Sequence, residues 1–209
     1  MIIAVDGPAA SGKGTLSARL AARFGLAHLD TGRLYRAVAL ALLRAGQSLD
    51  REPLAVAAAH TIDLSALGDD ALKTPEVSDG ASRVAVYPAM REILVARQRA
   101  FAQAAEKGAV LDGRDIGTVV FPDAALKLYI TASVEERARR RALELFGVTE
   151  GEAYENLLSA LKSRDARDQS RAASPLRPAA DAHVIDTTDL SIEEALKRAS
   201  SLVENARLT

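Results

Sequence analysis

The chain has 209 residues, 48% of them hydrophobic and 26% charged, with a formal net charge of −1. It has the apolar content for a sizeable core, and it lacks both the composition of a disordered chain and the bulk positive charge that holds a nucleic-acid polymer. Aromatic residues make up only 4% and cysteine and tryptophan are absent, so the core must be aliphatic, and disulfides, thiolate nucleophiles and cysteine-held metal sites are excluded.

The apolar stretch IIAV at 2–5 runs into DGPAASGKGT and then into LSARLAARFG, where Leu16, Leu20 and Phe24 recur every four residues, which predicts strand, loop and helix. Short apolar runs recur at LAHLD (26–30), AVLDG (109–113), ALKLYIT (125–131) and AHVID (182–186), nearly all followed by helical periodicity. Strands alternating with helices predict a parallel sheet, here five-stranded, with helices on both faces in one three-layer α/β domain over 1–209. The longest apolar run, AVALALL at 37–43, is far short of the ~20 residues that cross a bilayer. The opening MIIAVDGPAA has no basic lead, so a cytoplasmic protein is expected.

Thr74 and Pro75 read as an N-cap with proline in the first turn, and Pro88 divides the following pattern into a helix over about 75–86 and another over about 88–107, closed by Gly108. SVEE at 133–136 and SIEE at 191–194 have capping-box spacing. Residues 61–74 show no sustained period and are expected to form a loop excursion, as is the charged stretch 165–181 that ends in SPLRPAAD.

The strongest chemical signal is Gly7-Pro8-Ala9-Ala10-Ser11-Gly12-Lys13-Gly14-Thr15, which has the spacing of a phosphate-binding loop between a strand and a helix. Glycines let successive N–H groups point at phosphate oxygens, the helix adds its positive end, and Lys13 reaches the outer phosphates. The motif usually places Ser or Thr directly after the lysine to meet Mg2+; here Gly14 stands there and Thr15 follows. LDTGRLYR at 29–36 then supplies a hydroxyl at Thr31, with Tyr35 and Arg36 at a helix start, either an anion site or plain helix residues. Asp112-Gly113-Arg114-Asp115 follows the apolar run AVL, which puts Asp112 at the carboxyl end of a buried strand, placed to hold metal-bound water. The same four residues also suit an ordinary turn.

Arg137, Arg140 and Arg141 share one face of a helix. Like charges there repel by about 0.2–0.5 kcal/mol per pair, which a bridging polyanion would relieve; a solvated face with Glu144 below Arg140 is the alternative. Arg164, Arg167 and Arg171, interleaved with Asp165 and Asp168, form a second basic group, and the two groups together suggest a short lid that orders on nucleotide binding. His28, His60 and His183 form no ligand pattern and are given no role.

GPAASGKGT, LDTGRLYR, DGRDIGTVVFPDA, the RRR helix, SRDARDQSR and SPLRPAADAHVIDTT together resemble the bacterial cytidylate kinases, over essentially the whole chain. The resemblance implies a P-loop kinase fold and transfer of the γ-phosphoryl group of ATP to CMP or dCMP with Mg2+, by a monomer. It implies a core of 1–60, 88–132 and 181–209, a nucleotide-binding excursion at 61–87 and a lid region at 133–180. Gly7 to Thr15 would hold ATP, with Thr15 and, through water, Asp112 at the metal. Arg36 and Arg114 would hold the acceptor phosphate. Ser82, Arg91 and Asp115 would face the cytosine, and Thr31, Tyr35, Arg164 and Asp168 would complete the pocket. Arg137 would stack near the adenine, and Lys13, Arg141, Arg164 and Arg171 would act on the transferring group. Residues 61–74 are shorter than the resemblance leads one to expect, so a small sheet in the excursion should be reduced or absent. An adenylate-type kinase shares the G-K-G-T loop, but DGRD and the short lid argue against it. A GTP-driven switch also opens with such a loop, but the guanine-reading N-K-x-D tetrapeptide is absent.

Overall fold

Every strand of the sheet is parallel, in the order β2-β3-β1-β4-β5, and the computed structural model describes residues 1–64 and 67–208. The strands are β1 (Ile2–Asp6), β2 (Ala27–Asp30), β3 (Ala109–Gly113), β4 (Leu126–Thr131) and β5 (His183–Asp186). Alternation along the strands sends side chains to two separate cores. Ile3, Val5 and Val110 meet α1 (Lys13–Phe24) and α9 (Ile192–Leu208) on one face, through Leu16, Leu20, Ala195 and Val203. Ala4, Ala109 and Leu111 meet α6 (Pro88–Ala104) on the other, through Ala102. With both faces covered, the central strands are continuously apolar, as parallel sheets require.

The third core is helical, with α2 (Gly32–Arg44), α3 (Glu52–Thr61), α4 (Asp69–Leu72), α5 (Pro75–Val84) and α6 packed around Leu34, Val38, Leu42, Ala59, Val77, Val84, Met90 and Leu94. It covers the excursion, which contains no strand among the described residues. Thr74 caps α5 as its sequence predicts, accepting from the Val77 N–H at 3.2 Å. At the start of α9 the capping box closes reciprocally: the Glu194 N–H donates to Ser191 Oγ and the Ser191 N–H to Glu194 Oε2.

Two expectations need correction. Residues 61–74 are not wholly irregular, because one turn of helix, α4, forms there after Gly68. The stretch 165–181 is not a loop throughout: α7 (Val134–Phe146) is followed by α8 (Glu152–Ser170), which carries helix through most of the charged run. The charges that hide its periodicity support it, since Asp168 pairs with Arg164 at i,i+4 and with Arg171 at i,i+3.

Candidate active site

Both motifs at the strand ends open into one cavity of about 590 Å³, at the carboxyl edge of the sheet. Gly7 and Gly12 shape the donor side. Gly7 has φ 152°, and a Cβ on it would lie 2.0 Å from the Ile130 carbonyl oxygen; Gly12 has φ 83° and immediately precedes α1. The first N–H groups of α1, which no intrahelical acceptor can reach, therefore border the cavity at the positive end of the helix. Lys13 is buried there, with Nζ donating to the Pro8 carbonyl at 3.0 Å. Burial pushes its pKa down to about 7, and the charge of Arg114 adds to the effect against Asp112 and Asp30. Such a cation is completed by an arriving anion.

On the acceptor side, Arg36 donates to Asp30 Oδ2 at 2.7 Å, while the Thr31 hydroxyl is tied to the Asp112 carbonyl at 2.7 Å. Asp115 forms a buried ion pair with Arg91, whose guanidinium lies 5.5 Å from the Tyr35 ring centroid. Asp168, 1% exposed, joins three segments. It accepts from Ser82 Oγ at 2.9 Å and from Arg114 Nε at 3.1 Å, and it pairs with Arg171, with Arg164 at 3.9 Å. Burial alone would raise the Asp168 carboxyl, but Arg114, Arg171 and Arg164 outweigh it and hold the group well below the usual carboxylate range.

A depressed carboxyl stabilises the fold fully above its unfolded pKa and loses that contribution as pH falls toward the folded value. Replacing Asp168 by Asn leaves buried guanidinium groups uncompensated and should lower stability by about 3 kcal/mol at neutral pH. The gap from wild type should hold constant down to about pH 5 and narrow in more acid solution. Chemical denaturation of both proteins across pH 2.5–8 measures it; a gap that persists unchanged to the acid end would show that the arginines do not hold the carboxylate.

Every candidate residue except Gly7, Pro8 and Arg137 lines this cavity. Gly7 and Pro8 form the base of the turn. Arg137 sits behind the donor loop instead of on the cavity wall, donating to the Ala9 carbonyl at 3.2 Å, the Ala132 carbonyl at 3.0 Å and Asp165 at 2.6 Å. The expected repulsion among Arg137, Arg140 and Arg141 is already neutralised. Arg140 pairs with Glu136, and Glu144 pairs with Arg141, not with Arg140.

Other participants escaped the sequence reading. His28, given no role there, bonds through Nε2 to Asp112 Oδ2 at 2.8 Å. Asp30 fixes Arg36, and Asp6 braces the segment after Asp115, while Arg140, which the sequence placed on the basic face, also lines the cavity. Asp30 lies inside a motif that was noticed, and its proximity to Arg36 was the available signal. The partners of His28 and Asp6 are 84 and 110 residues distant, and spacing carries no trace of them.

Thr15 and Asp112 bring a hydroxyl and a carboxylate to the same wall. These hard oxygen donors suit Mg2+, which keeps waters and takes phosphate oxygens as ligands instead of needing an all-protein cage. Among the described residues no cluster of three or more His, Cys, Asp or Glu could form such a cage.

A family model described as cytidylate kinase matches residues 3–205. A cytidylate kinase of Brucella suis biovar 1 (strain 1330) is 54% identical over 205 residues, which is 98% of this chain and 93% of that protein. Another, from Afipia carboxidovorans, is 52% identical over 209 residues and covers both proteins completely. Among solved structures, shikimate kinase from Bacteroides thetaiotaomicron has a TM-score of 0.53 at 12% identity over 98% of each chain, a likeness of fold alone. A family match over nearly the whole sequence, with relatives more than half identical across it, establishes that the chain belongs to the cytidylate kinase family.

Proposed function

We propose that the protein transfers the γ-phosphoryl group of ATP to CMP or dCMP, giving ADP with CDP or dCDP, and that the cavity residues divide the work between donor and acceptor. The observation that carries this reading is the single cavity in which the phosphate loop faces the group Ser82, Arg91, Arg114, Asp115 and Asp168. Phosphoryl transfer asks the protein for positioning and charge more than for covalent chemistry.

In this reading Gly7 to Thr15 cradle the ATP phosphates with backbone N–H groups, and Lys13 draws the transferring group with its ammonium. Arg137 supports that loop from behind through Ala9. Thr15 and, through water, Asp112 would hold Mg2+, whose charge would offset that of the phosphates. Arg36 and Arg114 bind the acceptor phosphate, and Arg141, Arg164 and Arg171 neutralise the charge that spreads over the transferring group. Burial and the charge of Arg114 push Arg164 down to about 10, so an incoming phosphate strengthens its charged state. Thr31, Tyr35, Arg164 and Asp168 complete the acceptor pocket, and Ser82, Arg91 and Asp115 face the base.

We assign 1–60, 88–132 and 181–209 to the core, 61–87 to the excursion and 133–180 to the lid region. No described helix is long and apolar enough to cross a membrane. We place the enzyme in the cytoplasm as a monomer acting on free nucleotides, with no nucleic-acid polymer as partner. The test supplies ATP and Mg2+ with each nucleoside monophosphate in turn and follows ADP. CMP and dCMP should be used far better than UMP, AMP or GMP. A preference for AMP, or slow hydrolysis with GTP alone, would overturn the reading.

A further inference from the structure

Directly after Asp115 the chain forms a π-helix over Ile116–Val120, a rare element that tends to mark functional segments. Its last two N–H groups, on Val119 and Val120, both donate to the Asp115 carbonyl, at 2.9 and 3.2 Å. Asp115 stands at the N-cap position, where an aspartate ordinarily folds its own side chain back onto the first N–H groups of the helix. Here it makes no such bond. The Gly117 N–H, one that an N-cap side chain ordinarily takes, is met from elsewhere, by Asp6 Oδ2 at 2.8 Å, while Asp6 Oδ1 accepts from the Ile116 N–H before it at 2.7 Å.

Asp6 is the last residue of β1, next to the first glycine of the phosphate loop, and is 4% exposed. Burial pushes its carboxyl up to about 7, against the pull of the Gly117 and Ile116 N–H groups. The Asp115 carboxylate, relieved of capping, turns to Arg91 and the cavity.

We propose that Asp6 is a positioning residue for acceptor selection: by capping the 116–120 turn in place of Asp115, it keeps the Asp115 carboxylate on the cavity wall and ties base reading to the strand that carries the phosphate loop. This rests on the reading in which Asp115 recognises the acceptor base. When the Asp6 bond to the Gly117 N–H is lost, that N–H, at the second helical position that an N-cap side chain reaches, becomes open to the Asp115 carboxylate, which would turn to it and away from the base.

Asp6→Asn keeps the shape but sets an amide N–H2 against one of the two backbone N–H groups. Relative to wild type, its ratio of kcat/KM for CMP over UMP should fall about tenfold, the worth of one buried hydrogen bond. KM for CMP should rise in step, and KM for ATP should stay within about twofold. In an Asp115→Asn background the same Asp6→Asn change should leave the ratio unmoved, because a single pathway is then already broken.

Three results bear on the proposal differently. A ratio that falls in Asp115→Asn but not in Asp6→Asn overturns the role of Asp6 and leaves base reading by Asp115 intact. A ratio unaffected by Asp115→Asn overturns base reading itself. Additive losses in the double variant show that Asp6 acts by another route, which also overturns the proposal. If Asp6→Asn does not accumulate as folded protein, Asp6→Ser, whose shorter hydroxyl gives up both direct bonds, is taken through the same assays, and its CMP to UMP ratio should fall at least as far.

Discussion

Replacing Lys13 with Met should lower kcat/KM by about a hundredfold to a thousandfold or more, with the melting temperature unchanged or slightly raised. The asymmetry follows from the site. In the folded chain the ammonium is buried, its one described hydrogen bond goes to the Pro8 carbonyl, and burial pushes its pKa down to about 7. Methionine matches the length of the lysine stem and removes a charge that the unliganded fold holds at a disadvantage. Phosphoryl transfer alone needs that charge, because it compensates negative charge on the moving group. Steady-state kinetics beside thermal unfolding tests both halves. An active Lys13→Met enzyme would remove the phosphate-loop assignment, and a large fall in melting temperature would show that the lysine serves the fold.

The second large effect concerns the choice of base. Cytosine presents an amine donor beside two acceptors, which suits a carboxylate at Asp115, the Ser82 hydroxyl and a guanidinium at Arg91. Uracil reverses two of these positions and leaves buried groups unpaired at roughly 1–3 kcal/mol each, so CMP should be preferred about a hundredfold or more in kcat/KM. Asp115→Ala should lose most of that preference, through damage to CMP use far more than to UMP use, with the ATP side little changed. Because Asp115 is also the buried partner of Arg91, alanine leaves an uncompensated charge and should destabilise the protein by about 3–5 kcal/mol. Asp115→Asn separates the two effects: it retains a hydrogen-bond acceptor for Arg91, and its amide can donate to the uracil carbonyl. Both variants are compared with wild type by initial rates on CMP and UMP, and a CMP to UMP ratio kept at its wild-type value would show that Asp115 does not read the base.

What the sequence revealed was mostly local. The phosphate loop announces itself because its glycines, its lysine and the flanking strand and helix lie within a couple of dozen residues. Thr74-Pro75 and Ser191 to Glu194 signalled helix starts for the same reason, since a cap and its N–H are three residues apart. Helix α8 was partly hidden because its second half is built from charges whose value depends on Arg114 and Ser82, far off in sequence. The like charges of Arg137, Arg140 and Arg141 suggested repulsion because their spacing was visible while the route from Arg137 to Asp165 on the next helix was not. His28 and Asp6 sit on strands whose neighbours are set by sheet order, so their partners emerge only when β2, β3 and β1 lie side by side.

The two helices of the region 133–180 are fastened by different means. Helix α7 is held largely to backbone: Arg137 grips the Ala9 and Ala132 carbonyls and Arg140 the Thr187 carbonyl at 2.6 Å, while at its cap the Ser133 N–H meets the Thr188 hydroxyl at 2.9 Å. Helix α8 has an apolar contact through Leu161 with Ala138 and Ala9, accepts the Ser82 hydroxyl at Asp168, and forms the buried pairs Arg137–Asp165 and Arg114–Asp168 and the exposed pairs Lys162–Glu135 and Arg167–Asp79. Ions in solution screen exposed pairs and leave backbone acceptors nearly untouched. Dissolved salt therefore weakens the outer Lys162–Glu135 and Arg167–Asp79 pairs of α8 and leaves its buried Arg137–Asp165 and Arg114–Asp168 pairs largely in place, so ionic strength loosens one side of this helix without releasing the arginines at the cavity.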